Sequence, residues 1–325
     1  MKAIVITEPG GPEVLQLREV EDPKPEAGEV LIKIKAAGIN RADTLQRMGG
    51  HPAPPGTSPY PGLECSGVIT AVGNGVTKWK VGDEVCALLA GGGYAEQVCV
   101  PEGQLLPIPK VVSLNDAASL PEVTCTVWST VFMMSKLSSG ETFLVHGGSS
   151  GIGTFAIQIA KAKGCKVFTT VGNTEKAEFV KKLGADLVIN YREEDFVAKV
   201  KEATGGKGVD VILDNMGASY IQRNLNALGM DGRLFIIGFM GGVAGQVNLG
   251  PFLAKRLTVQ GAGLRNRTKE NKADIVAEVL KNVWPAVESG EVKPIISTSF
   301  PLAEAAQSHV LLESSIHIGK ILLIP

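Results

Sequence analysis

The sequence has little of what marks several classes of protein. Aromatic residues make up 5% of its 325 residues and the formal net charge is −1, so neither a base-stacking surface nor a basic field for nucleic acid is expected. No apolar run approaches the roughly 18 residues of a membrane span, so no membrane partner is expected either. The five cysteines form no CxxC pair, which predicts free thiols and a cytoplasmic location.

Glycine is abundant, and the hydrophobic period changes along the chain. Short alternating runs separated by Pro and Gly fill the first third and predict a β-rich, barrel-like domain. Between Thr142 and Gly238, short apolar strands alternate with helical segments, the pattern of a doubly wound parallel sheet. The last segment, with helices predicted over Lys272–Glu288 and Leu302–Leu312 and a strand over Lys320–Ile324, is expected to return to the first domain.

A glycine-rich turn follows the first strand of the alternating series. The stretch HGGSSGIG (146–153) leaves a strand and opens a helix, where glycines let the backbone approach a pyrophosphate and the helix start supplies N–H groups. Its spacing is GxxGxG rather than GxGxxG, which is a weak signal by itself. Its position as the first strand-to-helix turn of the alternating series makes it specific. We predict a dinucleotide site here, against the alternative of a packing turn without a ligand.

The same turn also satisfies GxSxG, the nucleophile elbow of a hydrolase, with Ser149 as the nucleophile. A hydrolase needs an acid and then a histidine downstream. Only His309 and His317 follow, and both fall in or beside the terminal segment assigned to the other domain. The pattern therefore favours the dinucleotide site.

The end of the second strand of the series favours NADPH over NADH. An acid there would bind the ribose hydroxyls of NAD, but the strand ends TTVGN (169–173) without one. Asn173 can donate a hydrogen bond to a 2′-phosphate, and Lys176 lies one turn into the next helix. Taken alone, Lys176 is better explained as a solvated charge on that helix.

Further segments carry a resemblance that covers essentially the whole chain. AAGINRAD (36–43), GLECSGVITAVG (62–73) and VGD (81–83) resemble the medium-chain dehydrogenase/reductase superfamily, and within it the zeta-crystallin-type NADPH:quinone oxidoreductases. NRADTLQR (40–47), ALLAGGGYAEQVCVPEG (87–103) and LPEVTCT (120–126) are most similar to the tumour-suppressor-induced branch. The resemblance implies an α/β fold with a GroES-like β-rich catalytic domain (1–122 and 264–325), an inserted Rossmann NADPH-binding domain (123–263) and a homodimer paired through the Rossmann sheets.

The resemblance also implies which residues contact the cofactor. The adenosine diphosphate half would be held by Gly147, Gly148, Ser149, Ser150, Gly151, Ile152, Gly153, Asn173, Lys176 and Tyr191. The ribose–nicotinamide half would be lined by Thr126, Asn215, Phe239, Met240, Gly241, Gly242, Leu264, Arg265 and Asn266.

Zinc is absent from the implied site. Zinc-dependent relatives have Cys where Asn40 stands and His where Leu63 stands, beside the retained Glu64, and Asn and Leu cannot complete a zinc site. The four-cysteine structural zinc lobe is missing as well. Reduction of a small quinone needs an oriented acceptor, exclusion of water and a donor near the developing oxyanion. Asn40 and His51, the latter where the family often has Tyr, are the candidate catalytic residues.

The predicted function is NADPH-dependent quinone reduction in the cleft between the domains, with two alternatives. Reduction of an activated C=C bond in an enal, enone or enoyl thioester also needs a proton donor, for which Tyr60 and Tyr94 are early candidates. A cofactor-bound structural or RNA-associated protein finds no support in the neutral charge. Asp43 and Arg47, one helical turn apart, are interpreted as an intrahelical ion pair, and His146 as a packed strand end.

Overall fold

The computed structural model describes every residue from Met1 to Pro325. Its strands are β1 (Lys2–Ile6), β2 (Leu15–Glu19), β3 (Glu29–Gly38), β4 (Glu64–Val72), β5 (Glu84–Leu88), β6 (Gln97–Pro101), β7 (Leu105–Pro107), β8 (Thr142–His146), β9 (Lys166–Val171), β10 (Leu187–Asn190), β11 (Val209–Asp214), β12 (Leu228–Ile236), β13 (Thr258–Gly261), β14 (Ile296–Pro301) and β15 (Lys320–Ile324). Its α-helices are α1 (Arg41–Arg47), α2 (Pro121–Val127), α3 (Gly151–Ala162), α4 (Thr174–Lys182), α5 (Phe196–Ala203), α6 (Ile221–Ala227), α7 (Gly250–Lys255), α8 (Lys269–Asn282), α9 (Trp284–Glu288) and α10 (Ala305–Ser314). None of these helices is both long and apolar enough to cross a membrane.

The chain forms two compact units, each with its own sheet. The first unit comprises Met1–Cys125, Leu264–Gly290 and Pro294–Pro325. The second comprises Thr126–Gly263 and the short piece Glu291–Lys293. The second unit is therefore inserted within the sequence of the first.

The second unit is built on a six-stranded parallel sheet with the order β10-β9-β8-β11-β12-β13. Its central strands are mostly apolar, as is typical of a parallel sheet, and Leu144, Phe168, Ile212 and Leu234 are fully buried in its core. From β8 the chain steps outward to β9 and β10, then returns to β11 on the other side. In such sheets, ligands bind at the carboxyl ends of the two strands where the order reverses, here β8 and β11.

The first unit is built on a seven-stranded mixed sheet with the path β14-β15-β3-β4-β5-β7, to which β6 adds by pairing with β3. Inward side chains alternate with outward ones along β3, and Ile32, Ile69 and Val85 lie in its core. The last strand, β15, runs antiparallel beside the end of β3, with Leu322 opposite Gly38. This pairing brings the last strand of the chain next to the residues that follow β3.

The fold class expected from the sequence is confirmed, with local differences. The helix expected over Lys272–Glu288 is two helices, α8 and α9, that meet at Val283, because Pro285 has no amide N–H to continue the first one. The helix expected from Leu302 begins as α10 only at Ala305, after a 3₁₀ turn. Strands β2, β7, β13 and β14 were not predicted. β7 has only three residues, and β2 and β13 are short and mostly exposed.

Candidate functional site

Most of the predicted cofactor residues of the second unit lie along one edge of its sheet. Gly147 directly follows β8, Asn173 follows β9 after one residue, and Tyr191 directly follows β10. Asn215 directly follows β11, and Phe239–Gly242 come shortly after β12. Because parallel strands end at the same edge, five separate segments of the sequence meet at the carboxyl ends of the sheet.

The turn after β8 can be made only by glycine at three positions. Gly147 has φ +73°, a left-handed conformation that side chains rarely adopt. A Cβ on Gly148 would overlap the side-chain oxygen of Thr169 on β9, and one on Gly153 would overlap the carbonyl oxygen of Gly147. The backbone here is therefore uncovered and open to close approach by a ligand.

The start of α3 presents unsatisfied donors at this turn. The Ser150 hydroxyl caps the helix and accepts from the Gly153 N–H at 3.0 Å, while the Ser150 N–H donates to the Gly147 carbonyl. The amides of Gly151 and Ile152 have no acceptor in the chain. Free N–H groups at a helix start, together with the positive end of its dipole, suit a pyrophosphate. The capped turn is a relaxed helix start rather than a strained serine elbow.

Asn215 adds an unmet acceptor at the same edge. Its side-chain oxygen is buried and has no hydrogen-bond partner in the protein. Buried polar atoms are nearly always paired, so an orphaned acceptor beside a glycine cradle indicates a ligand that donates a hydrogen bond. The hydroxyl and carboxamide groups of a dinucleotide meet that requirement, and the residues present therefore fit such a group.

The end of β9 carries cations. The Asn173 side-chain oxygen caps α4 by accepting from the Lys176 N–H at 2.9 Å, which leaves its amide nitrogen as a donor. Lys176 is largely buried, and burial together with the nearby Arg192 lowers the pKa of its ammonium. Two neighbouring cations suit a dianionic phosphate. Arg192 was missed from the sequence, because it follows the third strand, outside the region where the ribose-site rule looks.

His146 is neutral and fully engaged at the end of β8. Its Nε2 lies 2.7 Å from the Asn224 side-chain oxygen and its Nδ1 lies 3.1 Å from the Thr170 hydroxyl. The Thr170 oxygen in turn accepts from the Gly147 N–H at 3.3 Å. Burial lowers the pKa of His146 to about 4, so the ring is uncharged at neutral pH and supports the glycine turn, as expected for a packed strand end.

Four predicted cofactor residues do not belong to these five segments. Thr126 is buried in α2, where its carbonyl accepts from the hydroxyls of Ser129 and Thr130. Leu264, Arg265 and Asn266 belong to the first unit.

Arg265 uses its whole side chain within the first unit. The buried guanidinium donates to the carbonyls of Ala90 and His51, each at 2.9 Å, and to the Gln46 side-chain oxygen at 2.8 Å. It therefore holds the loop after α1 in place, and its charge is not free for a phosphate. Burial, with a contribution from Arg265, lowers the pKa of the half-buried His51 ring, which is thus neutral near pH 7.

Asn40 lies in a buried polar cluster with two residues that sequence reasoning did not connect. Its side-chain oxygen accepts from the Lys320 ammonium at 2.7 Å, and its amide nitrogen donates to Glu64 Oε1 at 3.0 Å. The ammonium also lies 2.6 Å from Glu64 Oε1, and the Glu122 N–H donates to Glu64 Oε2 at 2.9 Å. Glu64 is fully buried and Lys320 is 6% exposed. Lys320 has no sequence signal as a site residue, because only the β15–β3 pairing brings it here.

The expected ion pair between Asp43 and Arg47 is wrong. The Asp43 carboxylate accepts from the Asn40 N–H at 2.8 Å and from the Tyr94 hydroxyl at 3.0 Å, while Arg47 pairs with Glu313 at 2.8 Å. The spacing of the two residues on a helix is compatible with an ion pair. Both side chains are buried, however, and each bonds to a partner from a distant segment instead.

Tyr94 and His309 complete this second cluster. The Tyr94 hydroxyl lies 3.1 Å from His309 Nε2, and Arg47 donates to His309 Nδ1 at 3.2 Å. Burial raises the pKa of Asp43 to about 6 and lowers that of His309 to about 3. With both ring nitrogens engaged, His309 is not available as the base that a Ser149 hydrolase would need.

Comparison with known proteins identifies the class and then the family. The alcohol dehydrogenase GroES-like domain matches residues 26–110 and the zinc-binding dehydrogenase domain matches residues 151–281, the combination of a medium-chain dehydrogenase/reductase. The quinone oxidoreductase of Rattus norvegicus is 36% identical over 327 residues, which cover 100% of this chain and 98% of that protein.

Solved structures agree with this assignment. The Escherichia coli quinone oxidoreductase complexed with NADPH has a TM-score of 0.89 and 34% identity, with complete coverage of both chains. A 2-haloacrylate reductase has a TM-score of 0.84 and 30% identity, covering 100% of this chain and 99% of its own. The chain belongs to the zeta-crystallin-type quinone oxidoreductase family of the medium-chain dehydrogenases/reductases.

Proposed function

We propose that this chain is a zinc-free, NADPH-dependent quinone reductase. The proposal is carried by two regions taken together. The carboxyl edge of the second unit has a glycine turn and the unpaired Asn215 oxygen, and the Asn40 cluster of the first unit offers donors but no set of metal ligands. Full-length likeness to quinone oxidoreductases supports the same reaction.

The second unit would bind NADPH along the edge of its sheet. The pyrophosphate would lie on the Gly147–Gly153 turn, and Asn173, Lys176 and Arg192 would hold the 2′-phosphate. Asn215 and the segment Phe239–Gly242 would line the nicotinamide half. When bound, the cofactor supplies the hydride for the reaction.

The state of Glu64 supports the absence of zinc from the site. Both of its carboxylate oxygens already have partners, Lys320 and Asn40 on one and the Glu122 N–H on the other. With Leu63 and Asn40 in place of the His and Cys of zinc-dependent relatives, the donor set around Glu64 does not match what zinc prefers. An ammonium neutralises the buried acid instead.

The first unit would orient the quinone and donate a hydrogen bond to the oxygen on which charge develops. Asn40 can do so through its amide nitrogen, and His51 is a neutral ring that can donate through one nitrogen. Neither role requires a proton to be held at a shifted pKa, because the reduced quinone oxygen can take its proton from solvent.

Reduction of an activated C=C bond is the second candidate, favoured by the likeness to 2-haloacrylate reductase. This reaction needs a proton donor for the α-carbon. Tyr94 is fully buried and donates its hydroxyl hydrogen to Asp43, which disfavours it in that role. Tyr60 is only partly buried and is the remaining tyrosine candidate for this proton donor.

Parallel assays of NADPH oxidation separate the two candidates. We expect kcat/KM for 9,10-phenanthrenequinone to exceed that for 2-hexenal and for a crotonyl thioester by at least about tenfold, which is 1.4 kcal/mol of transition-state discrimination. A higher kcat/KM on the enal or the thioester would overturn the quinone proposal. The absence of any thermal shift with NADPH would contradict both enzymatic functions and favour a non-catalytic protein.

We further propose a homodimer formed through the second unit. β13 is the exposed edge strand of its sheet, and the segment before it exposes the large apolar side chains Val243, Leu249 and Leu253, the last 88% exposed. Sedimentation should give about twice the chain mass of 34.1 kDa for the wild type. Leu253→Asp should shift the protein toward the mass of a monomer. A wild-type protein that sediments with the mass of one chain would contradict the proposal.

A further inference from the structure

The buried ammonium of Lys320 fixes the orientation of the Asn40 side chain, which the proposed function uses as a donor. We infer that Lys320 is a positioning residue that sets the Asn40 amide for hydrogen-bond donation to the reduced quinone oxygen. This inference rests on the proposed function.

The Lys320 ammonium has three oxygen partners. It donates to the Ile39 carbonyl and to the Asn40 side-chain oxygen, each at 2.7 Å, and it forms an ion pair with Glu64 Oε1 at 2.6 Å. Asn40 thus lies between a cation and an anion, with its oxygen toward the ammonium and its nitrogen toward the carboxylate. Exchanging the amide oxygen and nitrogen would set N–H groups against the ammonium and the oxygen against the carboxylate. The pair therefore permits only one orientation of the amide.

This orientation decides what Asn40 can offer to a bound acceptor. One amide hydrogen is donated to Glu64 at 3.0 Å, whereas the other has only a 3.4 Å contact with the Gly38 carbonyl. The amide oxygen is already held by the ammonium. The partly free group is therefore an N–H donor, and the cation on the oxygen polarises the amide and strengthens that donor. A negative charge developing on a quinone oxygen meets a donor rather than an acceptor.

A charge-neutral pair of substitutions tests the role without unfolding the protein. Removing Lys320 alone leaves the Glu64 carboxylate buried and unpaired, which is strongly destabilising. Lys320→Met with Glu64→Gln removes both charges at similar volume, and the amide introduced by Glu64→Gln keeps an oxygen that can accept from the Glu122 N–H. Lys255→Met is the matched control, because Lys255 donates to three backbone carbonyls in the second unit, at Leu225, Asn226 and Leu228.

The expected result is a loss in kcat with the cofactor site intact. In the Lys320→Met/Glu64→Gln variant, kcat with 9,10-phenanthrenequinone should fall at least about tenfold, as for a displaced oxyanion donor, while KM for NADPH stays within about twofold. Lys320→Arg should retain more activity than the double variant. Adding Asn40→Ala to the double variant should cost little more, because both changes remove the same donor. A folded double variant with wild-type kcat, or fully additive losses with Asn40→Ala, would overturn the inference.

A second measurement keeps this inference separate from the proposed function. In protein labelled with ¹⁵N-asparagine, the Asn40 side-chain amide signal is identified by its loss in Asn40→Ala. It should shift in the double variant and stay in place in Lys255→Met. An unshifted signal would contradict the positioning role even if quinone reduction is confirmed. Failure of the wild type to reduce any quinone with NADPH would overturn the donor role and the proposed function, whereas a shifted signal would still support fixation of the amide by the Lys320–Glu64 pair.

Discussion

The two units carry their polar sites in opposite ways. At the carboxyl edge of the second unit the site is mostly backbone, with glycines that have no side chains and free amides at a helix start, and Lys176 and Arg192 supply its cations. In the first unit the site is mostly side chain, with Asn40, Glu64 and Lys320 brought from three distant segments into one buried cluster.

The difference fits what each site would have to do under the proposed function. A pyrophosphate is large, constant and anionic, so a turn that exposes N–H groups suffices, and any added atom obstructs it. A quinone oxygen gains charge only during the reaction, so the donor that meets it has to be fixed in advance by its surroundings. Substitutions should therefore act sterically in the second unit and electrostatically in the first.

Gly153→Ala should produce the largest effect. Its Cβ would overlap the Gly147 carbonyl oxygen, and backbone cannot move aside as a flexible side chain can. We expect NADPH affinity to fall at least about 100-fold, with a loss of about 1–3 kcal/mol in unfolding free energy from overpacking. Fluorescence titration with NADPH measures the first and chemical denaturation the second.

The control for Gly153→Ala is Gly261→Ala in the same unit. A Cβ on Gly261 meets nothing within 4 Å, so its NADPH affinity should match the wild type. Wild-type NADPH affinity in Gly153→Ala would mean that the turn does not hold the cofactor.

The same contrast explains how much could be predicted from the sequence. The glycine turn is local, since its strand, its glycines and its helix start are adjacent in the chain and carry their own periodicity. The Asn40 cluster is not, because Lys320 reaches it only through the pairing of β15 with β3. The Asp43–Arg47 pair failed for the same reason, since helix spacing shows which side chains share a face but not whether a distant Tyr94 or Glu313 offers a better partner.

Acidification should distinguish the buried histidines of the two units. The folded pKa values of His146 and His309, about 4 and about 3, lie below the ordinary 6.5 of the unfolded chain. Below pH 6.5 the unfolded chain binds protons that the folded rings do not. The free energy of unfolding therefore decreases as the pH is lowered. Asp43 acts oppositely, because its folded pKa of about 6 lies above its ordinary 3.8 and stability is gained as pH falls through 6. Asp43 therefore offsets part of the loss in the first unit only.

We expect the free energy of unfolding to be about 2 kcal/mol lower at pH 5 than at pH 7, as two depressed histidines outweigh one raised acid. Denaturant titrations at the two pH values measure it. His146→Gln keeps a polar side chain that cannot titrate, and should flatten this pH dependence. The same slope in that variant would contradict the assignment of the buried, neutral ring to His146.

Lys176→Met should have the smallest effect. It tests how much a side chain contributes to the mostly backbone site of the second unit. Removing one of two cations beside the predicted 2′-phosphate should weaken NADPH binding about tenfold, or 1.4 kcal/mol, and leave NADH binding nearly unchanged, since NADH lacks that phosphate. Lys181→Met, an exposed lysine in the last turn of the same helix, controls for loss of helix charge. Parallel titrations with both cofactors give the ratio. An equal loss for NADPH and NADH would show that Lys176 acts on the fold of the turn rather than on the phosphate, and selectivity would then rest with Asn173 and Arg192.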